Sequence, residues 1–258
     1  MEKVLVNKED AIAYVTVNRP EVLNCFDFQT LIELEEAVEK LKEDKSIRAV
    51  IFTGAGNKAF SVGADLKERK KLTEEEVIRN VMKISELFTK IEELPKPTIA
   101  AINGYAFGGG LEMALACDLR YASKNAMLGL TETSLAIIPG GGGTQRLSRL
   151  IGPAKAKELI FTARKLNGQE ALEYGIIHKL VDQDQLMESV RSLANEIARN
   201  GPLAVSQAKY AINHGMNTDI KTGLAIELTA YKTLIPTKDR VEALKAFQEK
   251  RTPSFIGE

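Results

Sequence analysis

The sequence predicts a layered α/β core followed by an all-helical C-terminal region. Three observations carry this. Short apolar runs alternate with amphipathic stretches of helical period up to about residue 183, and from Asp184 onward only the helical period remains. No linker rich in Pro, Ser or Gly separates the two parts. The expected division is therefore 1–183 for the core and 184–258 for the helical region.

Taken in order, Val4-Leu5-Val6 and Ala11–Val17 read as two strands joined by the polar turn Asn7-Lys8-Glu9-Asp10, and Asn18-Arg19-Pro20 ends the second. Leu31, Leu34, Val38 and Leu41 then fall on one helical face, with glutamates and lysines opposite. Ala49-Val50-Ile51-Phe52-Thr53 is a buried strand closed by Gly54-Ala55-Gly56-Asn57. Thr73-x-x-Glu76 is a capping box opening a helix with the stripe Val77, Val81, Ile84, Phe88, Ile91 and Leu94, stopped by Pro95-Lys96-Pro97. Thr98–Ile102 is the next strand, and Gly108-Gly109-Gly110 turns the chain into a helix from about Leu111. Leu119–Ala122 is a further strand, and the run Pro139-Gly140-Gly141-Gly142-Gly143 leads into a helix from about Thr144. The helical region comprises Asp184–Asn200, Leu203–Asn213, Ile220–Leu234 and Val241–Lys250.

Composition excludes several function classes. Thirty-five Lys+Arg balance 35 Asp+Glu, which removes the bulk electrostatic drive toward nucleic acid. Two isolated cysteines, Cys25 and Cys117, argue against a structural zinc site or disulfide framework and fit a reducing compartment. No apolar run approaches the ~20 residues of a membrane span, and the first residues lack a signal-peptide pattern. The expectation is a cytoplasmic protein.

Two carboxylates stand out. Glu112 lies in the otherwise apolar Gly110–Cys117, and Glu132 is flanked by Leu128-Gly129-Leu130 and Leu135-Ala136-Ile137-Ile138. Each sits either at a solvated edge or in a low-dielectric site where its pKa rises and acid–base work becomes possible. The glycine turn at 108–110 presents free N–H groups at a helix N-terminus. Ala59–Glu68 reads as a loop feeding a helix, whose small residues Gly63 and Ala64 permit close approach to backbone N–H groups. His178 and His214 lack any acid or nucleophile pattern around them, and no GxSxG elbow is present.

The stretches Ala59–Leu66, Gly108–Glu112, and Glu132 with Pro139–Leu147 together resemble the signature segments of the enoyl-CoA hydratase/isomerase (crotonase) superfamily. The similarity runs from Asn18-Arg19-Pro20 to Arg251. Within the superfamily, Gly63–Arg69, Ile138-Pro139 and Ile235–Arg240 most resemble the methylglutaconyl-CoA hydratase branch. The resemblance implies a spiral of ββα units whose C-terminal helices build trimers or hexamers. It implies that the backbone N–H groups of Ala64 and Gly109 bind the thioester oxygen as an oxyanion hole. Glu132 would donate the proton to Cα, and Glu112 would orient or deprotonate the attacking water.

Coenzyme A, as part of the substrate, would thread past Val62, Ala64, Asp65, Leu66 and Lys67. Phe247 and Lys250 would reach a neighbouring subunit's ligand. No metal and no redox cofactor is implied. Retention of both glutamates points to hydration rather than isomerisation, with a straight-chain 2-enoyl-CoA or 3-methylglutaconyl-CoA as substrate, and pocket walls drawn partly from Leu72–Leu87. An RNA-binding homologue in the same branch raises a second function. The first helix here carries Glu33, Glu35, Glu36 and Glu39 where that role is associated with lysines, and RNA binding is disfavoured.

Overall fold

A computed structural model describes residues 2–258. The chain opens with strands β1 (Val4–Glu9) and β2 (Ile12–Val17), then helix α1 (Phe28–Glu43), strands β3 (Ala49–Gly54) and β4 (Ala59–Ser61), and helices α2 (Leu66–Arg69) and α3 (Glu74–Glu92). Strands β5 (Thr98–Ile102) and β6 (Tyr105–Phe107) precede α4 (Gly109–Ala116), and β7 (Leu119–Ser123) and β8 (Met127–Gly129) lead to a 3-10 turn at Glu132–Leu135. There follow α5 (Gly143–Ile151), α6 (Pro153–Phe161), β9 (Leu166–Asn167), α7 (Gly168–Glu173) and β10 (Lys179–Val181). The chain ends in α8 (Leu186–Ala198), α9 (Pro202–Gly215), α10 (Ile220–Leu234) and α11 (Lys238–Gln248).

Two sheets form, one of six strands in the order β1-β2-β3-β5-β7-β10 and one of four in the order β4-β6-β8-β9. Successive pairs β3/β4, β5/β6 and β7/β8 each give one strand to each sheet, all in parallel with the equivalent strands of the neighbouring pairs. The chain thus spirals, advancing by one strand in both sheets per turn. This is the expected ββα spiral. The second sheet departs from the sequence reading, in which Ala59–Glu68 was one loop. Ala59-Phe60-Ser61 is a buried strand, and β6, β8 and β9 are equally short. Strands of two or three residues carry too little alternation to announce themselves. The first hairpin is also tighter than the sequence suggests. β1 runs to Glu9, and the turn is made by Asp10, at φ 51°, and Ala11.

Alternation within the six-stranded sheet fills two cores. Ala13, Val15, Val50, Phe52, Ala100 and Ile102 face the helices α1, α3 and α4, whereas Ile12, Ala49, Ile51, Ile99 and Ala101 meet Leu186, Val190 and Ala194 of α8. Burial on both faces explains the continuous apolar runs of these strands. α1 is started by the Asp27 side chain, which accepts from the Thr30 N–H at 2.9 Å. α3 has the predicted capping box, Thr73 and Glu76 each bonding the other's backbone N–H. Two of the five α1 glutamates pair with lysines of α3. Glu35 pairs with Lys83 and with Lys90 (3.0 Å), and Glu39 pairs with Lys90 (2.7 Å).

α9 and α10 pack as an antiparallel pair at Gly215 and Gly223, whose backbones come close enough that a Cβ on either would sit 3.4–3.6 Å from the other. Ile212, Met216, Ile220, Leu224, Tyr231, Val241 and Phe247 of the last three helices stay exposed in the single chain. No helix among the described residues is long and apolar enough to cross a membrane.

Candidate active site

The spiral brings the N-terminus of α4 against the end of β4. Gly110 has no room for a side chain, since a Cβ there would lie 1.9 Å from the Ser61 carbonyl oxygen. Gly63, at φ +84°, faces Gly109 in the same way, its hypothetical Cβ 2.7 Å from the Gly109 nitrogen. This backbone-to-backbone contact sets Ala64 beside Gly109. The Ala64 segment is held on both sides by Phe26, whose N–H donates to Gly63 O (2.7 Å) and whose carbonyl accepts from the Asp65 N–H (2.8 Å). The Ala64 and Gly109 N–H groups themselves find no acceptor among the described residues. Gly109 is the first residue of α4, where an amide has no intrahelical partner.

Both amides open on a cavity of about 980 Å³. Its walls are largely apolar, with Val62, Leu66, Val81, Ile84, Leu135, Ile137 and Ile138 among them, and its polar floor holds Glu112 and Glu132. Glu112, on α4, is buried, and its Oε1 accepts from the N–H groups of Gly141 and Gly143, each at 2.8 Å. Its Oε2 is left free of hydrogen bonds among the described residues. Burial pushes the Glu112 carboxyl above its ordinary value, outweighing those two amides and the nearby Arg146.

Glu132 comes from the 3-10 turn after β8. It lies against Gly108, whose φ of +51° and missing side chain make the space, since a Cβ there would be 3.1 Å from Glu132 Oε1. Its Oε2 is buried without a partner. Burial pushes the Glu132 carboxyl up to about 7, with the negative charge of Glu112 acting in the same direction and Arg69 opposing. Two carboxyls from separate elements thus sit in one low-dielectric pocket beside two unpaired amides. Such a set can polarise a carbonyl oxygen and carry protons.

The chain belongs to the enoyl-CoA hydratase/isomerase family. The family's sequence profile matches residues 7–258. A short-chain-enoyl-CoA hydratase of Clostridium acetobutylicum is 45% identical over 251 residues, 97% of this chain and 96% of that protein. The mitochondrial methylglutaconyl-CoA hydratase of Homo sapiens is 48% identical over 258 residues, 98% of this chain and 76% of that protein. The crystal structure of an enoyl-CoA hydratase from Bacillus anthracis superposes with a TM-score of 0.98 at 49% identity, covering all of both chains. The fold is the crotonase fold of this family.

Of the residues expected at a family site, Val62, Ala64, Asp65, Leu66, Lys67, Gly109, Glu112 and Glu132 line the one cavity. Asp65 is there as a structural group. Its carboxylate caps α2 through the Lys67 and Glu68 N–H groups (3.0 and 3.2 Å) and pairs with Arg19 at 3.1 Å. Phe247, near the end of α11, and Lys250, just beyond it, are exposed and do not line this chain's cavity. Arg69, Cys25 and Thr131 line it and were not anticipated. Arg69 stands in the charged run Lys67-Glu68-Arg69-Lys70-Lys71, part-buried on the cavity side of the one-turn α2. Cys25 is chemically quiet, its thiol pushed up to about 12 by burial and the neighbouring Asp65. His178 Nδ1 is engaged by the Arg120 N–H at 3.0 Å, away from the cavity.

Proposed function

We propose that this protein is an enoyl-CoA hydratase, adding water reversibly across the 2,3 double bond of a 2-enoyl-CoA thioester to give the 3-hydroxyacyl-CoA in fatty-acid or branched-chain acid degradation. The observation that carries this is the convergence of Glu112 and Glu132 on one cavity beside the free amides of Ala64 and Gly109. The amides take the thioester oxygen, where negative charge gathers as the enolate-like state forms; one such donor is typically worth about 10²–10³ in rate. Glu112 has one oxygen fixed by Gly141 and Gly143, which leaves the other to hold the water and accept its proton. The water oxygen bonds to Cβ as the C=C π pair moves toward the carbonyl. Glu132, whose carboxyl burial and the neighbouring Glu112 push up to about 7, delivers its proton to Cα. No oxidation state changes, so the reaction needs no redox cofactor.

Coenzyme A passes Val62, Leu66 and Lys67 at the cavity mouth, with the Lys67 ammonium toward phosphate. The exposed apolar faces of α9–α11 suit a trimer or hexamer in which Phe247 and Lys250 approach a neighbour's ligand. RNA binding is not part of this reading, and the cytoplasm is its compartment.

A second reading, 3-methylglutaconyl-CoA as the substrate, is favoured by Arg69. A guanidinium among the largely apolar walls of the cavity suits an acyl group with a second carboxylate. The test is a comparison of kcat/KM for crotonyl-CoA, a longer enoyl-CoA and 3-methylglutaconyl-CoA, with Glu112→Gln and Glu132→Gln beside the wild type. Each substitution should lower kcat at least ~10²-fold on the preferred substrate. Near-wild-type hydration by Glu112→Gln would refute the two-carboxylate mechanism. Arg69→Met should reduce kcat/KM for the dicarboxylate far more than for crotonyl-CoA if the second reading holds.

A further inference from the structure

The glycine run that holds Glu112 has no side chains to fix its own conformation. Each of its glycines is instead forced by a neighbour. A Cβ on Gly140 would meet Val81 at 2.9 Å, and one on Gly141 would meet Ile84 (2.8 Å) and Glu112 Oε2 (2.9 Å). One on Gly143 would meet Glu112 Oε1 at 3.0 Å. Gly142, at φ +100°, would place a Cβ 2.2 Å from Arg146 Nη1. Four consecutive glycines lose more backbone freedom on ordering than any other residues would, so the loop needs an external anchor.

Arg146 supplies one. Its Nη1 donates to the Gly141 carbonyl at 2.8 Å, and its Nε and Nη2 both reach Glu92 Oε2, at 3.1 and 2.7 Å. The guanidinium is nearly enclosed between α3 and α5, its side chain 14% exposed. The peptide that it grips, Gly141–Gly142, lies between the two peptides whose N–H groups bind Glu112 Oε1. Arg146 does not line the substrate cavity; it lies behind it, in a separate polar cleft between α3, α5 and α9.

We infer that Arg146, oriented by Glu92, is a positioning residue for the hydration reaction: through Gly141 it fixes the two amides that aim the Glu112 carboxylate at the water. This rests on the hydratase reading above. Arg is suited to the task because its planar fork can hold a carbonyl and a carboxylate at once, which a lysine point charge does not do. Glu92 is the less enclosed partner of the pair, its side chain 40% exposed, so it can be altered with little disturbance to packing.

The test is steady-state hydration of crotonyl-CoA by the full-length protein carrying Arg146→Gln, Glu92→Gln, Glu112→Gln, and each of the first two combined with Glu112→Gln. Arg146→Gln should lower kcat on the order of 10²-fold, the scale of a small misplacement of a catalytic group, while KM moves less than about threefold because the thioester and coenzyme contacts lie on other elements. Glu92→Gln should act in the same direction and more weakly. In the Glu112→Gln background neither should cost anything further, since the group that they aim is gone. Should Arg146→Gln fail to fold, Glu92→Gln and its double variant carry the test alone. Unchanged kcat in both single variants, with Glu112→Gln strongly impaired, would overturn this inference and leave the hydratase reading standing. Full additivity with Glu112→Gln would also overturn it, pointing to general structural damage. Near-wild-type activity of Glu112→Gln would instead remove the reading on which the inference stands.

Discussion

Removing the Glu132 charge should stabilise this protein, and only at high pH. In the folded chain the Glu132 carboxyl ionises near 7 instead of its ordinary 4.5, because burial and the neighbouring Glu112 both oppose its charge. Between those two values the unfolded chain has released the proton and the folded chain has kept it, so stability falls as pH rises through this window. Below about 4.5 the group contributes no penalty; above about 7 the penalty is complete. At 1.36 kcal/mol per pKa unit the shift corresponds to on the order of 3 kcal/mol. Because Glu132 keeps partial contact with solvent, screening reduces this to about 1–2 kcal/mol. Glu132→Gln keeps the shape and cannot ionise. Its melting temperature should therefore match wild type near pH 4.5 and exceed it by roughly 2–8 °C at pH 8, using 2–4 °C per kcal/mol for a chain of this size. The assay is thermal unfolding of both proteins across pH 4.5–8.5 at one fixed protein concentration, since association also raises Tm. A difference that stays constant with pH, or that favours wild type at pH 8, would refute the claim that Glu132 is held in a site hostile to its charge.

Other consequences are open to equally direct measurement. Gly108→Ala forces a side chain into a backbone conformation near φ +51° and against Glu132 Oε1; it should cost about 1–3 kcal/mol of stability and lower kcat more than it raises KM, as read by unfolding and steady-state kinetics. The exposed apolar residues of α9–α11 should be covered by copies of the chain, so light scattering at micromolar concentration should give a trimer or hexamer, and a monomer would contradict this. Gel-shift titration against single-stranded RNA should show nothing tighter than the ~10⁻⁴–10⁻⁶ M non-specific range, and saturable nanomolar binding would reverse that expectation.

Long elements were legible in the sequence, and short ones were not. α10 spans Ile220–Leu234 and β5 spans Thr98–Ile102, as their periodicity and flanking prolines and polar residues indicate. Nothing in Ala59-Phe60-Ser61 or Tyr105-Ala106-Phe107 marks a strand, because a three-residue strand is defined by the partner beside it, which only the spiral supplies. The site divides along the same line. Glu112 and Glu132 stand out since a carboxylate in an apolar segment must be either exposed or functional. Arg69 hides within a run of charges, and the direction in which α2 turns it depends on the Asp65 cap and its Arg19 partner, 46 residues away. The fate of Asp65 was invisible for the opposite reason: it lines the cavity as its position in the motif suggests, yet its carboxylate is spent on a helix end.

The contact between Gly63 and Gly109 carries an implication for how such a catalyst diversifies. Both amides facing the cavity are held by main chain against main chain, with Phe26 and Ser61 as the flanking supports, and none of those constraints involves the wall residues Val81, Ile84, Leu135 or Ile138. The walls can therefore be exchanged, lengthened or charged without moving the groups that polarise the thioester. Substrate shape and polarisation of the thioester are thus set by different atoms, whereas Val81 and Ile84, which also seat the glycine run behind Glu112, tie part of the wall to the side that activates water.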